Sequence, residues 1–217
     1  MYKDKLVILR DNRGQSNLQV LNAKNGATIW KKNRNTRNGW ATPAVVEHEG
    51  KVQVITTASR PEAGNRKTPG KVISYDLENG NIIWECSGLT DNAIPCPIVE
   101  NGVAYCMTGY QGFSLLAVPI SGKGEQSKNI LWRRELGTPY VPSPILYDGL
   151  LYFTQSNQAI LSCVGAKTGK VLMERTRLPG LSNVYASLVG AGNHVYVIGR
   201  YGKTAVLKRT GKFDLVA

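Results

Sequence analysis

Asn22-Ala-Lys-Asn-Gly-Ala-Thr-Ile-Trp30 and Asp76-Leu-Glu-Asn-Gly-Asn-Ile-Ile-Trp84 are two versions of one phrase. Each holds the end of an apolar strand, an Asn-Gly turn and a second strand that closes on tryptophan. A worn third copy ends at Trp132, with a first strand over 115–119 and a longer loop over 120–129 in place of the tight turn. A fourth reads Gly165-Ala-Lys-Thr-Gly-Lys-Val-Leu-Met173, with methionine in the tryptophan's place. The closing positions 30, 84, 132 and 173 lie 54, 48 and 41 residues apart, and roughly 40 to 50 residues is the period of a four-stranded propeller blade.

A second phrase keeps the same beat. Trp40-Ala-Thr-Pro-Ala-Val-Val46, Ile94-Pro-Cys-Pro-Ile-Val99, Val141-Pro-Ser-Pro-Ile-Leu146 and Tyr185-Ala-Ser-Leu-Val189 place Pro43, Pro97, Pro144 and Leu188 in register. Proline removes a ladder donor, which a strand tolerates at its first residues, so these positions mark strand entries. Asn25-Gly26 and Asn79-Gly80 suit a two-residue type I′ hairpin, which needs positive φ at both positions; Thr168-Gly169 takes the same place. A tryptophan that ends an outer strand offers a large ring to wedge between blades and one N–H for a backbone partner. Trp30, Trp84 and Trp132 are therefore read as structural joints between blades.

Alternation and turn residues give four strands in each of three units: 42–47, 51–58, 71–76 and 81–85; 96–100, 102–108, 114–118 and 129–134; 143–147, 150–155, 159–164 and 170–175. Before them 5–10, 18–22 and 27–32 form only the last three strands of a unit, and after them 186–189, 194–199, 204–209 and 212–216 form one more. The expectation is one all-β domain over 1–217, a β-propeller of four-stranded antiparallel blades with units at about 1–34, 40–87, 92–136, 140–177 and 184–217. Either the tail strand near Phe213 to Val216 closes a ring of about five blades, or the chain is a portion of a larger seven- or eight-bladed ring. The portion is the favoured expectation, and open blade edges would then offer a route to self-association.

These phrases resemble the repeats of the pyrroloquinoline-quinone-like (PQQ-like) propeller family. The wording at 40–43, 137–144 and 183–187 is similar to its uncharacterised bacterial members. The resemblance implies a fold shared by quinone-dependent dehydrogenases and by a scaffold lipoprotein of outer-membrane assembly, and it implies a periplasmic or secreted location. No signal peptide is expected at Met1, which polar residues follow, and no apolar run approaches the length of a membrane helix. PQQ and calcium come to this chain by resemblance only. The dehydrogenases place adjacent cysteines beside the quinone, and no two of Cys86, Cys96, Cys106 and Cys163 are adjacent. Calcium wants six to eight oxygens, yet Asp11, Asp91 and Asp148 each stand alone among apolar or basic neighbours.

Other chemistry is equally thin, and no catalytic or metal-binding residue is assigned. His48 and His194 are the only histidines; both sit at hairpin turns and read as solvated surface, with no carboxylate and nucleophile beside them for a triad. The cysteines lack zinc spacing and read as small buried hydrophobes, a disulfide being the alternative in an exported protein. Gly122 and Gly124 precede no helix, so they make no phosphate loop.

Charge is the second signal. Twenty-seven basic residues against fifteen acidic give +12, a field that steers acidic partners. Arg34, Arg37, Arg60, Arg66, Arg133, Arg134, Arg175, Arg177, Arg200 and Arg209 recur on many blades and read as loop residues. A nucleic-acid site would gather them on one face, so nucleic acid is disfavoured against another protein or an acidic extended ligand. Loops that enter the innermost strands converge at one end of a propeller channel. Residues just before the register positions are thus the candidate ligand-binding rim: Asn38, Trp40, Asn92, Tyr140, Asn183 and Tyr185. The competing reading has each asparagine capping its own turn and each aromatic packed between blades. The function expected is a non-catalytic binding or protein-interaction scaffold; the alternative is a portion of a quinoprotein dehydrogenase whose catalytic blades lie elsewhere.

Overall fold

A computed structural model describes residues 1–61 and 67–217, and places Arg66 outside the described residues. The described chain is all-β, and its strands follow the sequence in five meandering sheets. Sheet one holds β1 (Lys5–Arg10), β2 (Ser16–Asn22) and β3 (Thr28–Arg34). Sheet two holds β4 (Ala44–His48), β5 (Lys51–Ala58), β6 (Gly70–Asp76) and β7 (Ile82–Leu89). Sheet three holds β8 (Ile98–Glu100), β9 (Val103–Thr108) and β10 (Ser114–Pro119), then skips β11 (Gly124–Glu125) to end on β12 (Trp132–Arg134). Sheet four holds β13 (Ile145–Tyr147), β14 (Leu150–Thr154), β15 (Ile160–Gly165) and β16 (Val171–Arg177), and sheet five β17 (Val189–Ala191), β18 (His194–Ile198) and β19 (Thr204–Lys208). Pro43, Pro97, Pro144 and Leu188 each stand directly before an innermost strand.

The apolar residues form no single centre. One cluster packs Leu18, Val20 and Trp30 of sheet one against Val54, Tyr75 and Leu77 of sheet two. Others join Trp84 and Cys86 to Cys106 and Leu116, Met107 and Leu115 to Leu151 and Phe153, and Tyr152 and Leu161 to Val195 and Leu207. Four sheet-to-sheet interfaces in series are the packing of a partial β-propeller. Around its inner edge runs a belt of matching hydrogen bonds. The Thr42 N–H reaches Cys96 Sγ (3.3 Å), the Cys96 N–H reaches Ser143 Oγ (3.0 Å), and the Ser143 N–H reaches Ser187 Oγ (3.1 Å). The second, third and fourth blades thus each donate to the residue before the next blade's register position.

The structure corrects several expectations. At Asn25-Gly26 and Asn79-Gly80 only the glycines have positive φ, 74° and 71°. The Asn22 N–H meets the Ala27 carbonyl at 2.8 Å and the Gly26 N–H meets the Asn22 carbonyl at 2.8 Å, so the loop has four residues and is not a type I′ pair. The asparagine earns its place through its side chain: Asn25 Oδ1 accepts from the Ala27 N–H at 3.0 Å and Asn79 Oδ1 from the Asn81 N–H at 2.8 Å. Paired positive φ of the I′ kind occurs instead between the two inner strands, at Glu49-Gly50, Asn101-Gly102 and Asp148-Gly149, where twist must match across a two-residue turn. The tail 212–216 forms no strand; Leu215 makes one antiparallel bridge to Leu207.

The 120–129 loop is not a simple insertion. Its β11 pairs in parallel with β7, Gly124 against Trp84 and Glu125 against Glu85, which adds a strand to the preceding blade. Arg34 is buried, not a loop cation, and Arg133, Arg134, Arg175 and Arg177 lie on strands. His48 and His194 are half-buried.

Candidate functional site

The rim is built where three blades meet. Strand β3 leaves sheet one and runs through Asn38 and Trp40 into β4, held by the Trp40 N–H on the Ala93 carbonyl at 2.8 Å. Ser59 Oγ ties the layers together, donating to the Asn38 carbonyl at 2.6 Å and accepting the Ala93 N–H at 2.9 Å. The next entry loop carries Asn92 at a φ of 53°, a left-handed conformation that asparagine tolerates. These segments enclose a cavity of about 340 Å³ whose lining includes Asn38, Trp40 and Asn92 with Arg13, Arg37 and Arg60. Asp91 also lines it and faces Arg60, Oδ2 to Nε at 3.6 Å.

Three of the six sequence-derived rim residues thus share one cavity. Tyr140 joins them at second hand: its hydroxyl accepts from Asn92 Nδ2 at 3.2 Å, and its ring stacks on Tyr110, another lining residue, at 4.9 Å. Asn183 and Tyr185 lie elsewhere. Asn183 bridges to Gln158, and Arg200 sits over the Tyr185 ring at 5.3 Å. Asn38 and Asn92 do not cap their own turns in the way the competing reading requires. Asn38 Oδ1 accepts the Arg13 N–H at 3.1 Å, and Asn92 bonds to Tyr140. Sequence reading missed Arg13 and Asp91 as rim members because each reaches the site from a different blade.

A larger cavity of about 440 Å³ lies between sheets one and two, and its charges are already matched. Arg34 Nε and Nη2 grip the two Asp11 oxygens at 2.9 and 3.0 Å, while Nη1 donates to Thr56 Oγ1 and to the Tyr75 hydroxyl. Burial pushes the Asp11 carboxyl above the ordinary aspartate range, and Arg34 pulls it back only in part. Lys71 pairs with Glu85 at 2.7 Å. The side-chain network there is a joint between blades, not an open recognition surface.

The tryptophans also sit at joints. Trp30 Nε1 donates to the Leu77 carbonyl and Trp132 Nε1 to the Ala166 carbonyl, both at 2.8 Å and both in the following blade. Trp84 departs from the expected backbone partner. Its N–H meets Gln53 Oε1 at 3.0 Å, and Gln53 Nε2 relays the link to the Ile120 carbonyl at 3.0 Å. All four cysteines are free. Burial raises the Cys86 thiol to about 11 and the Cys163 thiol to about 12, so neither is an accessible thiolate nucleophile near neutral pH.

A quinone and calcium site does not fit these residues. Among the described residues no group of three or more His, Cys, Asp or Glu is placed to hold a metal ion. Asp11, Asp91 and Asp148 are instead committed to Arg34, Arg60 and Arg209.

Five sheets packed face to face, four of them entered through a register residue, define a partial β-propeller of PQQ-like repeats. Residues 1–175 match the family model described as outer membrane protein assembly factor BamB, and the chain belongs to that family. It is 25% identical to the tetrathionate hydrolase of Acidithiobacillus ferrooxidans over 174 residues, which covers 71% of this chain and 32% of that protein. With the tetrathionate hydrolase of Acidianus ambivalens the identity is 23% over 121 residues, covering 48% and 22%. Among solved structures, BamB from Moraxella catarrhalis superposes with a TM-score of 0.64 at 17% identity, covering 99% of this chain and 57% of that one. A europium-containing methanol dehydrogenase gives 0.60 at 12% identity, covering 100% and 49%. The chain spans a third or less of these curated relatives and about half of these structures. At such identities the structural likeness speaks to the fold alone.

Proposed function

We propose that this chain is a non-catalytic stretch of propeller that acts as a binding scaffold, holding an acidic extended ligand, foremost a segment of another protein, at the rim cavity. The observation that carries the reading is the gathering of Arg13, Arg37, Arg60 and Asp91 with the exposed Trp40 on one cavity. The family's description as an outer membrane protein assembly factor supports a scaffold role and a periplasmic or secreted compartment. Among the described residues no helix is long and apolar enough to cross a membrane.

Poly-L-glutamate is the probe. Trp40 is 58% exposed while Trp30 and Trp84 are at most 9% exposed, so ligand at the rim should reduce acrylamide quenching of tryptophan emission. Arg13→Glu and Trp40→Ala should weaken binding by about tenfold with little change in melting temperature. Asn38→Ala or Tyr140→Ala with lowered melting and unchanged binding would mean that the rim is structural only.

A second reading rests on the tetrathionate hydrolase similarity: the chain would be part of an enzyme whose dianionic substrate lies on the same arginines. Consumption of tetrathionate above the blank, abolished by Arg13→Glu, would favour it over the scaffold. The quinoprotein alternative has no residues in its support; a calcium and PQQ titration followed by absorbance and melting should give no shift.

A further inference from the structure

Four Asn-Gly pairs stand in the chain, at 25–26, 38–39, 79–80 and 101–102. In such a pair the glycine nitrogen can attack the asparagine side-chain carbonyl, because glycine has no Cβ to obstruct the approach. Exposure does not separate them, since Asn25, Asn79 and Asn101 are all exposed. Their hydrogen bonds do.

At Asn25 and Asn79 both reacting groups are held. The Gly26 N–H donates to the Asn22 carbonyl at 2.8 Å and the Gly80 N–H to the Asp76 carbonyl at 2.9 Å. The side-chain oxygens of Asn25 and Asn79 accept from the Ala27 and Asn81 N–H groups at 3.0 and 2.8 Å. At Asn38 the side-chain oxygen accepts the Arg13 N–H, the carbonyl accepts Ser59 Oγ, and Gly39 bridges to both Asp11 and Ala93. Asn101 differs on each count. Among the described residues neither its side chain nor the Gly102 N–H has a hydrogen-bond partner.

Backbone geometry adds to the difference. Asn101 and Gly102 have φ of 50° and 76°, the paired positive values of a type I′ turn, between Glu100 and Val103, which pair across the hairpin. A flip of the single peptide between them gives type II′, the other two-residue hairpin turn, so Glu100 and Val103 stay paired. The flip carries ψ of Asn101 from about +30° to about −120° and φ of Gly102 from about +90° to about −80°, which glycine tolerates. At that ψ the Gly102 nitrogen eclipses Cβ of Asn101 and comes within reach of Cγ. Asn25 and Asn79 have negative φ, and they reach the same alignment only after both of their bonds break.

We propose that Asn101 is a site of spontaneous deamidation and isoaspartate formation, selected by its turn. The Gly102 nitrogen bonds to Asn101 Cγ, its proton and the side-chain amide nitrogen leave as ammonia, and a cyclic imide forms. Water then opens the ring at either carbonyl. One opening leaves aspartate; the other leaves isoaspartate, whose backbone runs through the former side chain and is one carbon longer. The turn packs on the half-buried His48 of the blade before it, where a Cβ on Gly102 would lie 3.5 Å from Cε1. Isoaspartate at position 101 thus disturbs both the β8–β9 hairpin and its seat on the second blade.

The test incubates the full chain at mildly alkaline pH, with and without urea, and then digests it. Isoaspartate in each Asn-Gly peptide is measured by mass spectrometry and by methyl transfer from labelled S-adenosylmethionine with an isoaspartyl methyltransferase. In the folded chain the Asn101 peptide should convert about tenfold faster than the Asn25 and Asn79 peptides, as two hydrogen bonds of ordinary strength imply. In urea the rates should draw together. Conversion at Asn25, Asn38 or Asn79 as fast as at Asn101 in the folded chain overturns the assignment, and a difference that persists in urea overturns the turn as its cause. The isoaspartyl chain should melt below the Asn101→Asp variant, which carries the charge without the longer backbone; equal melting overturns the disturbance of the hairpin.

Discussion

Gly80 shows how one residue can serve two constraints. Its φ of 71° ends the outer hairpin of the second blade, and a Cβ there would lie 2.7 Å from the Trp30 ring of the blade before it. Gly169 repeats the arrangement under Trp132, again at 2.7 Å, whereas Gly26 has φ 74° and nothing within 4 Å. Gly26→Ala should therefore cost about 1 kcal/mol, the backbone term alone. Gly80→Ala should cost about 3 kcal/mol, since the ring must also move. Urea unfolding of the two variants measures the difference; equal losses would show that the ring contact carries no energy. The positions of these turn glycines are legible from the Asn-Gly and Thr-Gly dipeptides, though not the turn type. The ring over them is not, because Trp30 and Gly80 are fifty residues apart and meet only when blades stack.

At the scale of elements, β11 is the piece that the repeat does not explain. The 120–129 loop breaks the tight-turn rule, and in exchange it lays a short parallel strand on β7. The Gln126 N–H meets the Glu85 carbonyl at 2.7 Å and the Ser87 N–H meets Ser127 Oγ at 2.8 Å. Hydrogen bonds of this kind contribute about 1 kcal/mol each. Replacing 121–128 by an Asn-Gly turn should lower the melting temperature by about 4–8 °C while the transition stays cooperative. A melt unchanged within error would mean that β11 holds nothing. Parallel pairing with an earlier blade leaves no local mark in sequence, since neither period nor turn signal encodes a neighbour from another unit. The strand entries, by contrast, were legible at Pro43, Pro97 and Pro144, because proline's missing donor acts within its own strand.

At the scale of the whole molecule, the blades are joined by polar pairs as well as apolar faces. Arg34 and Asp11, with side chains 1% and 0% exposed, link the first blade to Thr56 and Tyr75 of the second. Arg34→Met should destabilise by about 3–5 kcal/mol by leaving Asp11 buried and unpaired, and Arg34→Met with Asp11→Leu should recover much of the loss. The pH dependence has a definite sign. The Asp11 carboxyl is already raised in the fold by burial, with Arg34 opposing. Its contribution is fullest below the ordinary aspartate range and is lost as pH rises through the folded value. Removing Arg34 raises that value further, so the gap in melting temperature between the Arg34→Met variant and the parent should narrow as pH falls from about 7 toward 4. A gap that widens on acidification would show that Asp11 is not the group left exposed to desolvation.

The period, the places of the turns and the strand entries of a blade were legible in the chain itself, because they follow from chemistry that acts within a few residues; the turn type at Asn25-Gly26 and the Gln53 partner of Trp84 were not. Which side chains share the cavity came from the packing of blade on blade. Asn38, Trp40 and Asn92 line one cavity, Asn183 and Tyr185 stand apart from it, and Arg13, Arg60 and Asp91 reach it from segments no periodicity connects. The physical reason is that alternation and turn propensity are local. The rotation of one blade against the next is fixed by packed side chains and buried ion pairs far apart in the chain, and that rotation chooses what faces the cavity.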